Sequence, residues 1–183
     1  HPCMLKRYDI QGRVAVFIDA ANILYSQKTL GWRVDYKRLK AYLERETQLV
    51  SIHFYTGKVG TNEKQTRFLD KLTEYGFVVT AKEVKKIRMA RNIYEWKGNL
   101  DVELALDAYR SKEDFDVCLL FSGDSDFAYL LDLLKEAGKR VFVLSTRGHI
   151  SRELVERAKY IELKRLRREI ETVRGPDNPA PEV

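Results

Sequence analysis

Two short stretches leave this chain little choice of fold. Val14-Ala-Val-Phe-Ile18 and Val117-Cys-Leu-Leu120 are apolar at every position. A half-exposed strand alternates apolar and polar residues; an unbroken short run suits a strand covered on both faces. Each run ends in acid. Asp19 follows the first directly. The second leads through Phe121-Ser-Gly-Asp-Ser-Asp-Phe127 into Ala128-Tyr-Leu-Leu-Asp-Leu-Leu134, which reads as an amphipathic helix.

The rest of the chain alternates in the same way. Strands are expected over Arg13–Ile18, Val50–Tyr55, Phe77–Thr80, Phe115–Phe121, Arg140–Leu144 and Tyr160–Leu163. Helices are expected over Asp35–Glu46, Thr61–Tyr75, Asn99–Tyr109, Asp126–Ala137 and Ser151–Arg157, with Gly76 and Gly138 as end signals. The helix over 35–46 would bury Tyr36, Leu39, Tyr42 and Leu43; that over 99–109 would bury Val102, Ala105, Leu106 and Tyr109. Residues 81–98 resist assignment, being basic, aromatic at Tyr94 and Trp96, and closed by Gly98. Strands alternating with helices predict an α/β fold of right-handed crossovers, with a mainly parallel central sheet and helices on both faces. One domain over 13–163 is expected, after an extension over 1–12. A basic helix over 164–174 and a tail over 175–183, disordered by composition, complete the chain.

The chain carries 33 Lys and Arg against 27 Asp and Glu, a net charge of +6, and the cations are crowded into 82–97 and 157–174. Basic patches beside an acidic cluster suit a polyanion whose reactive phosphate meets metal ions; a solvated surface is the plainer reading, and is preferred for the C-terminal patch. No apolar run approaches ~18 residues, so no membrane span is expected. The N-terminus shows no apolar region of a signal peptide, and a cytoplasmic location is expected. His1-Pro2-Cys3 reads as a remnant before a native start at Met4. Cys3 and Cys118 make no disulfide framework, and Cys118 reads as a small core residue.

Asp19, Asp101, Asp124 and Asp126 are the candidate catalytic and metal-holding residues. Asp19 ends one buried strand, and Asp124 and Asp126 follow another. Asp101 opens the helix after Gly98 and so faces the same strand ends. If the two apolar strands are neighbours, all four acids meet at the crevice where open α/β sheets bind ligands. Carboxylates packed together call for a cation, and hard oxygen donors suit Mg²⁺ or Mn²⁺ rather than Zn²⁺. His53 and His149 lack the spacing of a zinc set. Such a site does phosphoryl chemistry by in-line displacement. Each acid also has a structural use: a helix-dipole charge for Asp101, an N-cap for Asp126 and a turn residue for Asp124.

Asn22 stands close enough to Asp19 to hold a water or a phosphate oxygen, although it is also a turn former. Ser122 could orient Asp124 or touch phosphate. Lys97 could bind phosphate as a point charge. Glu103 and Asp107 fall off the stripe of Val102 and Leu106 toward solvent, with Arg110 placed to pair with Asp107, which could still reach the site rim. Tyr94 and Trp96 lie among Lys85, Lys86, Arg88, Arg91 and Lys97, where rings could stack on bases or pack into a core.

Phe17-Ile-Asp-Ala-Ala-Asn22, Lys97-Gly-Asn-Leu-Asp-Val102 with Leu104-Ala-Leu-Asp107, and Ser122-Gly-Asp-Ser-Asp-Phe127 resemble motifs of the NYN domain family, a branch of the PIN-like nucleases. Ser145-Thr-Arg-Gly-His149 and Ser151-Arg-Glu-Leu154 resemble its closing segment, and the likeness covers about 13–163. It implies a PIN-like three-layer sandwich and a ribonuclease using Mg²⁺ or Mn²⁺ at Asp19, Asp101, Asp124 and Asp126. Asn22, Ser122, Lys97 and Asp107 would support that site. The expected partner is RNA, single-stranded, and the basic stretch with Lys85, Lys86, Arg88 and Arg91 is expected to hold it. A second copy or a protein partner could meet the basic C-terminal helix. Ala20-Ala21 and Asn99-Leu100 depart slightly from the family pattern. Because the superfamily includes binding modules, an RNA-binding regulatory module of the same fold is the alternative.

Other Asp-rich α/β sites fit less well. Haloacid-dehalogenase-like phosphatases want Asp where Ala21 stands, and receiver domains want paired acids after the first strand and a phospho-acceptor after the third, where Thr80-Ala81 stands. Toprim-like enzymes want Glu after their first strand.

Overall fold

The computed structural model describes residues 4–173, apart from the side chain of Trp96. Cys3 and the tail expected over 175–183 lie outside the described residues. The strands are β1 (Arg13–Asp19), β2 (Gln48–Lys58), β3 (Val78–Glu83), β4 (Lys85–Ala90), β5 (Ile93–Lys97), β6 (Val117–Phe121), β7 (Arg140–Ser145) and β8 (Lys159–Glu162). The helices are α1 (Ala20–Leu30), α2 (Tyr36–Glu46), α3 (Glu63–Glu74), α4 (Asp101–Arg110), α5 (Ala128–Glu136), α6 (Arg152–Arg157) and α7 (Arg167–Ile170).

Six strands form one sheet in the order β3-β2-β1-β6-β7-β8. Every pairing in it is parallel. The apolar runs read from sequence are its two central strands, paired from Val14↔Val117 to Ile18↔Phe121.

Alternation along these strands divides the core into two layers. Val14, Val16, Ile18, Val117, Leu119 and Phe121 point to one face, where α1, α2, α3 and the C-terminal turns pack. Ala15, Phe17, Cys118 and Leu120 point to the other, beneath α4, α5 and α6. Both faces are therefore dry, and an unbroken apolar run is what such strands require. The result is the expected three-layer α/β sandwich. Burial pushes the Cys118 thiol up to about 12, so it packs as a small apolar residue.

Several elements differ from expectation. Helix α1 follows β1 without a loop; its only buried residues are Ile23 and Ser26, too few to mark a stripe. In α4 the expected buried face is wrong but for Ala105, which packs half-buried against the core. Val102, Leu106 and Tyr109 are exposed, while Leu104 and Ala108 enter the core. The helix carries apolar residues on two sides, and Leu100 and Leu104 tip the choice by packing under the strands. Residues 81–98 hold the end of β3 and an antiparallel hairpin, β4–β5, outside the main sheet.

The long helix expected from 164 is also corrected. A 3-10 turn over Leu163–Leu166 is followed by the single turn of α7. Leu163, Leu166 and Ile170 are fully buried with α2 residues, and Glu171 bridges back to Val34. The i, i+3, i+7 spacing of these three would equally suit one unbroken helix, so the periodicity does not reveal the break. Leu5, in the expected N-terminal extension, is buried in the same core.

Candidate metal centre

The sheet order sets the place. From β1 the chain winds outward through β2 and β3; from β6 it winds the other way through β7 and β8. The carboxyl ends of β1 and β6 therefore flank the switch point, where helices part and leave a crevice.

Asp19 closes β1 and caps α1, its Oδ1 accepting from the Asn22 N–H at 3.4 Å. The Ser122 hydroxyl donates to Asp19 Oδ2 at 2.7 Å and accepts from the Asp124 N–H at 3.2 Å. Ser122 is fully buried. It locks Asp19 and the turn after β6 together rather than meeting substrate. Asp124 caps the following 3-10 turn, its Oδ1 accepting from the Asp126 N–H at 2.9 Å. The cap expected of Asp126 thus belongs to Asp124.

Gly123 makes this turn possible. A Cβ there would lie 1.7 Å from the carbonyl oxygen of His149 and 2.6 Å from Ile150 Cα. The Ser151 N–H reaches the Gly123 carbonyl at 2.8 Å. The segment over 148–151 thus lies directly on the turn, and no side chain fits between them.

Asp101, at the start of α4, completes the group. One carboxylate oxygen each from Asp101, Asp124 and Asp126 lie within 4.8 Å of one another. Asp101 and Asp124 are partly buried; Asp126 is exposed. Asp19 is outside this trio, but its charge is felt there. Burial and the charges of Asp19, Asp124 and Asp126 push the Asp101 carboxyl up to about 7. Asp19 is itself raised, chiefly by burial, with the Ser122 and Asn22 hydrogen bonds opposing. Among the described residues, no salt bridge reaches any of these four acids. The three-Asp arrangement offers hard oxygen donors and excess negative charge, which fits a divalent cation.

The model of the NYN domain matches residues 13–164. The chain belongs to the NYN domain family. Over 170 residues it is 35% identical to the "Low amplitude and bright protein LabA" of Synechococcus elongatus, covering 90% of this chain and 91% of that protein. Its fold matches the crystal structure of a Vibrio parahaemolyticus protein of unknown function with a TM-score of 0.70. That match has 26% identity and covers 85% of this chain and 94% of the other.

The remaining residues singled out in the NYN domain sort differently. Asn22 is turned away from the role of holding water or phosphate: its amide donates to the His149 carbonyl at 3.2 Å and accepts from the Ser145 hydroxyl at 3.1 Å. It ties the closing segment to α1. Asp107 is engaged elsewhere, accepting from the Tyr55 hydroxyl at 2.9 Å and pairing with Arg110 at 3.0 Å. Glu103 is not simply solvent-facing, for it pairs with Lys82 at 2.8 Å. Lys97 is exposed at the end of β5, four residues before Asp101. Lys85, Lys86, Arg88 and Arg91 are exposed on the hairpin. No described helix is long and apolar enough to cross a membrane.

Sequence reading missed the linking role of Asn22 and the coupling of Ser122 to Asp19. Both depend on contacts across more than a hundred positions, Asn22 to His149 and Ser122 to Asp19. Tyr55 was missed as well; it ends its pairing opposite Asp19, and only its hydroxyl partner reveals its use.

Proposed function

We propose that this NYN domain is a divalent-metal-dependent ribonuclease that hydrolyses phosphodiester bonds at the carboxylate trio. The observation that carries this reading is the meeting of Asp101, Asp124 and Asp126 oxygens within 4.8 Å at the switch point of the sheet. Three carboxylates so close cannot all ionise cheaply without a cation, and the fold keeps them there. Family membership supports the same reading.

Asp101, Asp124 and Asp126 would hold Mg²⁺ or Mn²⁺. When bound, that cation neutralises the carboxylates and polarises the scissile phosphate as a Lewis acid. The chain's own part is positioning. Ser122 and the Asn22 N–H fix Asp19, whose charge is felt at Asp101 and deepens the negative potential that draws the cation in. Asp124 fixes the 3-10 turn that presents Asp126. The close packing of 148–151 on the buried Gly123 limits how far the turn can move.

The test is cleavage of labelled single-stranded RNA in Mn²⁺ or in EDTA, beside Asp101→Asn and Asp124→Asn. The reading expects metal-dependent cleavage that falls about 100-fold or more in both variants, because several kcal/mol of charge stabilisation are lost. Equal cleavage by wild type and variants contradicts it and points to a contaminant. Metal-independent RNA binding without cleavage favours the regulatory binding module instead.

A further inference from the structure

The hairpin β4–β5 is a second feature of the same rim. Strand β3 pairs with β2 as far as Lys58↔Glu83. Only Val84 separates it from β4, and the Val84 N–H still donates to the Lys58 carbonyl at 2.8 Å. The chain thus runs past the carboxyl edge of the sheet into the hairpin, and β5 returns it through Gly98 to Asp101. The base is tightly seated. A Cβ at Gly57 would lie 2.6 Å from Val84 Cγ2, and one at Gly98 would lie 2.9 Å from Val84 Cα.

Beyond this base most of the described apolar side chains of the hairpin are exposed. Met89 is 61% exposed, Ile93 60% and Tyr94 49%. Lys85, Arg88 and Arg91 are exposed and form no ion pair among the described residues. Residues 85–97 carry five cations, Lys85, Lys86, Arg88, Arg91 and Lys97, against one acid, Glu95. Elsewhere surface cations commonly meet acids, as Lys82 meets Glu103 at the foot of the arm. Lys86 Nζ stands 4.4 Å from the centre of the Tyr94 ring, keeping cation and aromatic face together.

We infer that this hairpin is a strand-capture arm that binds single-stranded RNA by its phosphates and one stacked base, and leads it to the carboxylate trio. Exposed net positive charge is complementary to a polyanion. A half-exposed ring beside cations suits an unpaired base, since a duplex hides its base faces. Topology joins arm and trio directly, with β5 ending four residues before Asp101. The inference rests on the ribonuclease reading for its direction toward the trio, but arm and trio fail separately, because binding is measured without metal.

The experiment is fluorescence anisotropy in EDTA, with the full chain and a labelled oligouridylate of about 12 nucleotides, beside an RNA duplex of equal length. Salt is varied from about 50 to 300 mM. Two variants are compared: K85A/R88A/R91A, and Tyr94→Ala. The triple variant is expected to weaken single-strand binding at least tenfold at the lowest salt and to flatten the log–log salt slope by about 2, near 0.7 for each lost phosphate contact. Tyr94→Ala is expected to weaken binding about fivefold or more with the slope unchanged. Melting temperatures of both should match wild type, because the replaced side chains are exposed. Unchanged affinity and slope in both variants, a duplex bound as tightly as the single strand, or no RNA binding by the wild type would each overturn the arm. Cleavage lost in Asp124→Asn while arm variants bind normally would leave the nuclease reading standing and the arm refuted.

Discussion

The acidic rim and the basic arm rise from the same end of one sheet, and they are held by opposite means. The rim is built inward. Asp19, Ser122, Asp124 and the 148–151 segment share hydrogen bonds, and Gly123 has no room for a methyl group. The arm is built outward, seated at Gly57, Val84 and Gly98, with Met89, Ile93 and Tyr94 exposed beyond them. Chemistry that needs carboxylates fixed against their own repulsion requires a rigid support. Capture of a flexible polyanion requires reach and charge, which an exposed hairpin supplies.

The sharpest way to break this contrast is Gly123→Ala. A Cβ 1.7 Å from a backbone carbonyl cannot be absorbed by a side-chain rotation. The segment over 148–151 must move, at a cost of about 3 kcal/mol or more. Calorimetry should show a fall in melting temperature on the order of 10 °C, with loss of cleavage. An unchanged melting temperature would mean that the rim is looser than described.

Asp124→Asn separates placement from charge. The amide oxygen still accepts from the Asp126 N–H, so the turn survives. One repelling charge is gone, so the metal-free protein should melt at the same temperature or slightly higher. A fall of several degrees would show that the carboxylate is chiefly structural.

The pH dependence sharpens the comparison further. The folded protein keeps a proton on Asp101 up to about 7, whereas an unfolded Asp releases it near ~3.9. Between these values the folded state binds more protons than the unfolded one, so this group's contribution to stability falls as pH rises. That sign is opposite to that of a salt-bridged carboxylate. Melting in EDTA at about pH 5 and about pH 7.5 should show the decline, and Asp101→Asn should flatten it. A decline that persists unchanged in the variant assigns it to other groups.

The smallest expected effect lies outside the rim. Tyr55→Phe removes the hydrogen bond to Asp107. Asp107 keeps Arg110, so the cost should be about 1 kcal/mol, or about 2–4 °C in melting. Cleavage that falls with it as steeply as in Asp124→Asn would return Asp107 to the site.

How legible the molecule was follows from burial. The central strands could be read because both faces are dry, leaving no polar residue to blur the run. The acids could be read because each follows such a strand or opens a helix beside it. Helix α1 was lost because only Ile23 and Ser26 are buried. The face of α4 was misjudged because Val102 and Leu106 mimic a stripe that Leu104 and Ala108 form. The hairpin escaped because most of its described side chains are exposed, and a strand without a buried face has no period to detect. The division of labour among Asp19, Ser122 and Asn22 lay in distances, which spacing along the chain does not encode.

The central claim is that Asp101, Asp124 and Asp126 hold a divalent cation. Anomalous diffraction from Mn²⁺-soaked crystals tests it most directly. The account predicts a peak between these three carboxylates that vanishes in Asp124→Asn crystals. Crystals saturated with Mn²⁺ that show no peak there, with the carboxylates turned apart, would contradict it.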